Sequence, residues 1–409
     1  MGYTVNPWSI LPFGLLLATI ALAPLLFPDW WAKHYPKVAY GLGAVTLAYY
    51  LLDLHAYSRV VQVGHEYVSF IALIGSLFVV SGGIHIAVKG EATPGTNVLF
   101  LFFGGLLANL LGTTGASMLL IRPWIRMNKY RITAHHIVFF IFIVSNVGGC
   151  LTPVGDPPLF LGYLKGIPFW WVAEHCWPMW AVGVGFLLAL FYIVDGLNYR
   201  RAPKAVRTEL AAPPDQWRFE GLWNVVFLAV ILGAVFINYP AFLREILMVA
   251  AAAGSYFTTK KHVHEANHFN FHPIQEVAIL FAGIFATMMP ALDWLQANAA
   301  RLASPNPALF YWSSGVLSSI LDNAPTYLCF LSAAFGLFTK PDDQYILAIS
   351  IASVFFGANT YIGNGPNFMV KSIADHQKVH MPGFLGYVFK YSLPYMLPML
   401  LLIWLLFFH

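Results

Sequence analysis

Thr152-Pro153-Val154-Gly155-Asp156-Pro157-Pro158 interrupts an apolar segment that otherwise runs from residue 135 to residue 165. Prolines remove backbone donors and end helices, so the segment cannot be one continuous helix. Inside a membrane, irregular backbone is tolerated only where it is buried in protein or lines a watery site. If the chain spans a membrane, residues 135–165 therefore form a broken helix beside a site.

The composition indicates a membrane protein. Of the 409 residues, 59% are hydrophobic and only 10% are charged, whereas soluble domains carry about 25% charged residues. A spanning helix needs roughly 20 apolar residues, and such stretches recur from end to end. The fold class is predicted to be an all-α polytopic membrane protein, with the lipid bilayer as its main partner and no nucleic-acid partner.

Three further apolar segments are interrupted in the same way. Segment 97–124 breaks at 112–115, segment 307–338 at 321–325, and segment 343–371 at 357–367. Adding 208 to the residue number places Thr114 on Asp322, Gly155 on Gly363 and Asp156 on Asn364. A single shift that aligns both pairs of breaks predicts two inverted repeats.

The positive charges predict the topology. If 97–124 and 307–338 are re-entrant hairpins, about ten transmembrane helices remain, two of them broken, and 16 of the 22 lysines and arginines fall on one side. The positive-inside rule makes that side cytoplasmic. The N-terminal half is then 1–195, the cytoplasmic linker 196–220 and the C-terminal half 221–409. The predicted location is a bacterial-type inner membrane, with both termini periplasmic.

Two carboxylates lie in breaks at membrane depth, where a charge costs from about 3 to more than 10 kcal/mol. Oxygen-bearing side chains surround them, as sites for hard cations require. The predicted ion- or proton-binding residues are Asp156, Asp322, Asn323, Thr152, Asn359, Thr360 and Asn364. The predicted supporting residues are Thr113, Thr114, Ser117, Thr326, Asn109, Asn146 and Asn367.

Plainer interpretations stay open for several of these residues. Asp156 and Asp322 can simply cap the helices that follow them. The histidines of loop 262–272 can bind a metal or sense pH, although their spacing favours an ordinary solvated loop. Lys390, inside the last span, can pair with a carboxylate or reach the lipid headgroups.

The motifs resemble the ion-transporter superfamily, in particular its arsenite-pump/NhaD-type sodium/proton antiporter branch and related citrate transporters. The resemblance is carried by Gly148–Asp156, by Leu321–Thr326 and by Gly357–Thr360 with Gly363-Asn364. It implies a homodimer in which each subunit has a scaffold and a mobile transport region. Pro157 and Pro158 depart from the antiporter pattern, which often has hydroxyl residues there, and Cys150-Leu151-Thr152 departs from the Ser-Asn-Thr of dicarboxylate carriers.

These observations favour a secondary active transporter rather than an enzyme, with a small inorganic ion or a small carboxylate as substrate. The first hypothesis is sodium/proton antiport with elevator-like alternating access, in which both ions compete for membrane-embedded carboxylates. The alternative is a citrate or other organic-anion carrier. An intramembrane aspartyl protease is a remote third reading, since Asp156 maps onto Asn364 rather than onto a second acid. No cofactor or metal is expected beyond the transported sodium ion and proton.

Overall fold

A computed structural model describes residues 3–87, 92–201, 218–237, 239–299, 306–337 and 343–409. The described chain is almost entirely helical, in agreement with the predicted all-α membrane protein. Six helical segments are long and apolar enough to cross a membrane by length and composition: Pro7–Pro24, Tyr57–Gly82, Pro94–Met127, Phe169–Arg201, His272–Asn298 and Phe384–Phe407.

The first half comprises a 3-10 turn (Pro7–Ile10), α1 (Leu11–Leu26), α2 (Pro28–Ala48, extended by a π-helical turn, Tyr49–Asp53), α3 (Tyr57–Gly82), β1 (His85–Ala87), α4 (Pro94–Met127), α5 (Ala134–Ile143), a 3-10 turn (Val147–Gly149), α6 (Pro157–Leu164) and α7 (Phe169–Arg201). Because α7 continues to Arg201, the first six residues of the predicted linker 196–220 are helical. Residues 202–217 lie outside the described residues.

The second half comprises β2 (Arg218–Glu220), α8 (Asn224–Ala234), α9 (Leu243–Thr258), α10 (Lys261–Ala266), α11 (His272–Asn298), α12 (Pro307–Ile320), α13 (Asn323–Leu337), α14 (Asp343–Gly357), α15 (Gly365–His376), α16 (Phe384–Tyr387), a π-helical segment (Val388–Met396) and α17 (Leu397–Phe407). The two short strands, which the sequence analysis did not predict, pair antiparallel with His85 opposite Glu220.

Helix α4 folds back on itself at Gly112. This residue has φ 73° and ψ 154°, a conformation that suits glycine because it has no Cβ. Asn97 and Asn128 exchange hydrogen bonds of 2.8 and 3.0 Å, although a straight helix would hold them about 46 Å apart. We call residues 94–127 the first fold-back.

Helices α12 and α13 form a second fold-back (307–337) that turns at Leu321-Asp322. The rings of Phe310 and Phe330, one in each arm, lie 6.0 Å apart between centroids. The two fold-backs cover the segments 97–124 and 307–337 for which re-entrant hairpins were predicted, and residue 338 lies outside the described residues.

Polar contacts group the helix ends into two sets. The base of the first fold-back joins the end of α7, because Asp195 accepts a hydrogen bond from Asn97 (2.9 Å) and pairs with Arg131. At the opposite end, Lys165 after α6 pairs with Glu66 of α3, and Trp171 donates to Asp343 (2.9 Å). The first set coincides with the lysine- and arginine-rich side of the sequence analysis.

Candidate functional site

Asp156, in the break between α5 and α6, is fully buried. Its backbone is extended, and its side chain makes no capping bond to α6. The carboxylate instead accepts hydrogen bonds from Thr113 Oγ1 (2.7 Å), Asn323 Nδ2 (2.7 Å) and Asn364 Nδ2 (3.0 Å). Since these donors come from both halves of the chain, Asp156 joins the two fold-backs and the second broken helix.

Close glycine packing brings Thr113 to this carboxylate. The N–H of Thr113 donates to the carbonyl of Gly155 at 2.7 Å. A Cβ on Gly155 would lie 2.0 Å from the carbonyl oxygen of Gly149, so only glycine allows the two backbone segments to approach this closely. The turn of the first fold-back is thereby fixed against the residue that precedes Asp156.

The second half repeats the arrangement. The N–H of Asn323 donates to the carbonyl of Gly363 at 3.2 Å, and a Cβ on Gly363 would lie 2.5 Å from the carbonyl oxygen of Gly357. The glycine pairs match at the shift of 208, but Thr113 matches Asn323, a shift of 210. The alignment of Thr114 with Asp322 was therefore wrong by two residues at the turn.

Thr152 and Thr360 hold the unwound segments in place rather than contacting the carboxylate. Thr152 Oγ1 donates to the carbonyl of Asn109 (2.7 Å) and accepts from the N–H of Gly155 (3.1 Å). Thr360 Oγ1 makes the corresponding bonds to the carbonyl of Ser319 (2.5 Å) and from the N–H of Gly363 (3.1 Å). Both threonines thus replace the helical hydrogen bonds that the breaks remove.

Asp322 differs from Asp156. Its Oδ1 accepts the backbone N–H of Ala324 at 3.0 Å, and its carbonyl accepts Thr326 Oγ1 at 2.9 Å. This is the capping arrangement at the start of α13. Among the described residues Asp156 and Asp322 share no hydrogen bond, so the arrangement is not that of a proton-sharing acid pair.

A chain of asparagines extends from Asp156 into the second half. Asn364 Nδ2 also lies 3.2 Å from Asn146 Oδ1, and Asn146 Nδ2 donates to Asn367 Oδ1 at 2.7 Å. Asn367 in turn donates to the carbonyls of Gly357 and Thr360, both at 2.9 Å. Among the described residues Asn323 Oδ1 is a buried acceptor without a partner.

The remaining predicted residues lie one step further out. Asn109 donates to the carbonyl of Gly148 (2.7 Å), Ser117 bonds Ser145 (2.7 Å), and Asn359 donates to Ser319 Oγ (3.0 Å). Thr114 lines a cavity of about 20 Å³ beside Asp156. This cavity has room for about one water-sized particle.

Four buried ionic clusters escaped the sequence analysis. Asp293 accepts from Arg59, Tyr3 and Tyr50; Asp195 pairs with Arg131 and His136; Arg244 pairs with Glu245; and Lys165 pairs with Glu66. The available signal was an acid close to the end of an apolar segment, and the sequence analysis did not use it.

One of these clusters has the composition of a metal site. Ligand atoms of His135, His136 and Asp195 lie within 4.8 Å of one another. However, Arg131 bonds both oxygens of Asp195. His136 Nδ1 accepts the N–H of Thr133 (3.2 Å), which places the ring proton on Nε2, facing Asp195. The cluster is an ion-pair network and not a cation site.

The histidine-rich loop is partly helical, because α10 covers Lys261–Ala266. His262 pairs with Glu220 at 2.9 Å, and the described histidines of 262–272 do not converge on a metal site. Lys390 is exposed on the π-helical segment, and no ion pair involves it among the described residues.

Comparison with known proteins gives the family. A search of curated proteins finds no match. A family model described as "Putative citrate transport" matches residues 2–408, which is nearly the whole chain. The chain therefore belongs to this transporter family.

Proposed function

We propose that the protein is a secondary active transporter that exchanges sodium ions for protons by competition at Asp156. The observation that carries this proposal is the environment of the carboxylate. It is fully buried, and its three hydrogen-bond donors are all neutral. Among the described residues neither lysine nor arginine bonds it.

A buried carboxylate without a cationic partner is costly, and two small cargoes relieve that cost. A proton neutralises the acid directly, and a sodium ion neutralises it from an adjacent position. Only one of them is needed at a time, so each expels the other. The cavity of about 20 Å³ that Asp156 lines has room for an ion of this size. Asn323, which donates to Asp156, also carries a buried acceptor, Oδ1, that has no partner among the described residues.

The matched contacts of the two halves support an inverted-repeat carrier. In this proposal the fold-backs are re-entrant hairpins that enter from opposite faces, and Asp156 lies near the midplane. The hairpins and broken helices form a mobile unit, α4–α6 and α12–α15. A scaffold of α1–α3 and α8–α11 surrounds it, and the mobile unit moves against this scaffold like an elevator. The subunit pairs as a homodimer in a bacterial-type inner membrane, with both termini periplasmic.

The second candidate is a citrate or other carboxylate carrier, the substrate class in the description of the matched family, although the match does not distinguish this candidate from antiport. Anions bind well at helix N-termini because unpaired N–H groups point at them. Here Pro157 and Pro158 remove two such groups from α6, and Asp322 occupies one at α13. An anion would also meet the charge of Asp156 unless a cation travelled with it. We therefore rank this candidate second.

Purified protein in liposomes with an internal pH dye tests both candidates. A pulse of external sodium should alkalinise the lumen, because each entering sodium ion is exchanged for a proton. A citrate pulse should leave the luminal pH unchanged. Sodium binding measured from pH 6 to pH 9 should tighten with rising pH, approaching about tenfold per unit where one proton is exchanged. An affinity that stays flat over this range, together with citrate uptake, would replace antiport by the anion carrier.

A further inference from the structure

The first fold-back lies close to one end of α3. A Cβ on Gly112 would contact Leu77 Cδ1 at 3.6 Å, and a Cβ on Gly115 would lie 2.5 Å from Ser81 Oγ. Helix α3 ends at Gly82, so its last contact with the fold-back is within one turn of that end. The turn beside Asp156 lies about 10 Å from the middle of α3, measured along the helix axis.

At the other end, the mobile unit touches the scaffold through polar groups. Lys165 Nζ lies 2.6 and 2.7 Å from the two carboxylate oxygens of Glu66. Tyr163 donates to the carbonyl of Val235, just after α8, at 2.9 Å. The Lys165 and Glu66 side chains are only 17% and 9% exposed, so water screens their attraction poorly.

The pair fits only one position of the mobile unit. Glu66 is the only acidic residue of α3. One turn towards the start of the helix, Lys165 would meet Gln62, which already donates to Glu66 at 3.1 Å. About one turn further it would meet Arg59, which already pairs with the nearby acid Asp293 at 2.8 Å. Any movement of the mobile unit towards the start of α3 therefore breaks the ion pair and brings Lys165 to no other unpaired acid on that helix.

A cavity of about 520 Å³ lies at the same level, lined by Glu66 and Tyr163 and by Phe242, Arg244 and Glu245 of the α8–α9 connection and the start of α9. The charged groups of that wall satisfy each other, since Arg244 bonds Glu245 at 2.9 and 3.0 Å. They do not compete for Lys165. Leu164 and Gly166 at the end of α6 also line this cavity, so there is space beside that end.

We propose that the Glu66–Lys165 ion pair is a latch that holds the mobile unit displaced towards the Gly82 end of α3, with the Asp156 site facing that side. Release of the latch lets the end of α6 rise into the 520 Å³ cavity. Glu66 and Lys165 are thus positioning residues that set the balance between the two access states. This inference rests on the alternating access proposed above, but not on the identity of the cargo.

The test uses a cysteine at Ser81, which is 1% exposed. In purified full-length Ser81→Cys protein in lipid nanodiscs, without added cargo, maleimide should modify residue 81 slowly. Glu66→Gln and Lys165→Met should each raise that rate at least tenfold, because the mobile unit uncovers the Gly82 end of α3. Protein with Ser81 intact gives the background from the native cysteines.

Two controls keep the test decisive. Lys371→Met removes an ion pair of 2.7 Å that lies inside α15 and should leave the rate unchanged. The reversed pair, Glu66→Lys with Lys165→Glu, should restore slow modification, which also covers the case in which a single variant fails to fold. Unchanged rates in both single variants, equal acceleration by Lys371→Met, or a reversed pair that stays fast would each overturn the latch. Failed ion transport with a working latch would count only against the proposed cargo.

Discussion

Replacement of Asp156 by asparagine separates its charge from its shape. Asparagine keeps an oxygen for Thr113 and Asn364, and rotation of the Asn323 amide lets its unpartnered Oδ1 accept the new N–H. Three hydrogen bonds to a charged acceptor become neutral ones, a loss of about 1 kcal/mol each. Removal of the buried charge stabilises the folded protein by a similar amount, several kcal/mol. The free energy of unfolding should therefore change by less than about 2 kcal/mol.

Asp156→Ala should behave differently. Asn364 Nδ2 keeps two other acceptors, the carbonyl of Ser145 and Asn146 Oδ1. Thr113 Oγ1 and Asn323 Nδ2 lose the acceptor that they have in the native protein. Two buried donors without partners cost about 1–3 kcal/mol each, so the alanine variant should be roughly 2–6 kcal/mol less stable than Asp156→Asn.

Both variants should lose proton-coupled sodium transport down to the level of empty liposomes, because neither can exchange a proton for an ion. Thermal unfolding followed by tryptophan fluorescence gives the stabilities, and the pH-dye assay gives transport. Asp375→Asn, at an acid 44% exposed in its side chain, is the matched control and should change neither. Normal transport by Asp156→Asn would remove the residue from the mechanism, and equal stabilities of the two variants would refute the hydrogen-bond reasoning.

Further variants test other parts of the structure. Gly155→Ala should abolish transport because its Cβ would lie 2.0 Å from a backbone oxygen, while Gly365→Ala, which has open space, should transport normally; equal activities would contradict the packing argument. Arg131→Met should lower the free energy of unfolding, measured by chemical denaturation, by about 3–5 kcal/mol, since it leaves the buried charge of Asp195 unpaired. Lys371→Met should lower it by under about 1 kcal/mol. Equal losses in the two variants would refute the argument from burial. Asp322→Asn should keep the helix cap and the stability of the protein; retained sodium transport would limit Asp322 to capping, whereas lost transport would make it a second ion ligand.

The sequence predicted the parts of the site that depend on local chemistry. Proline, glycine and acid in an apolar segment locate the breaks, and the common shift of 208 pairs Gly155 with Gly363. The prediction was off by two residues at the turn. The donor at the turn lies 42 residues before its glycine in the first half (Thr113 to Gly155) but 40 residues before it in the second (Asn323 to Gly363). A shift fixed on the glycines therefore misaligns the turns.

Long-range pairing could not be predicted in this way. Lys165 and Glu66 are 99 residues apart, and Arg59 and Asp293 are 234 apart. Nothing near either partner in the chain indicates the other. A single sequence indicates the depth of a residue but not its neighbours, so neither ion pair was predicted. For the same reason Asp156 and Asp322 were predicted to share one role, although the fold surrounds them with different partners.

The base of the first fold-back has a consequence for biogenesis. Arg131 and Asn97 depend on Asp195, which the ribosome adds 64 and 98 residues later. Until α7 has been synthesised, the Arg131 guanidinium lacks the anionic partner that it has in the folded protein. The base of the first fold-back is therefore completed only after translation has passed residue 195. Chains truncated before α7 should be cut by a protease at this base more readily than the full-length protein.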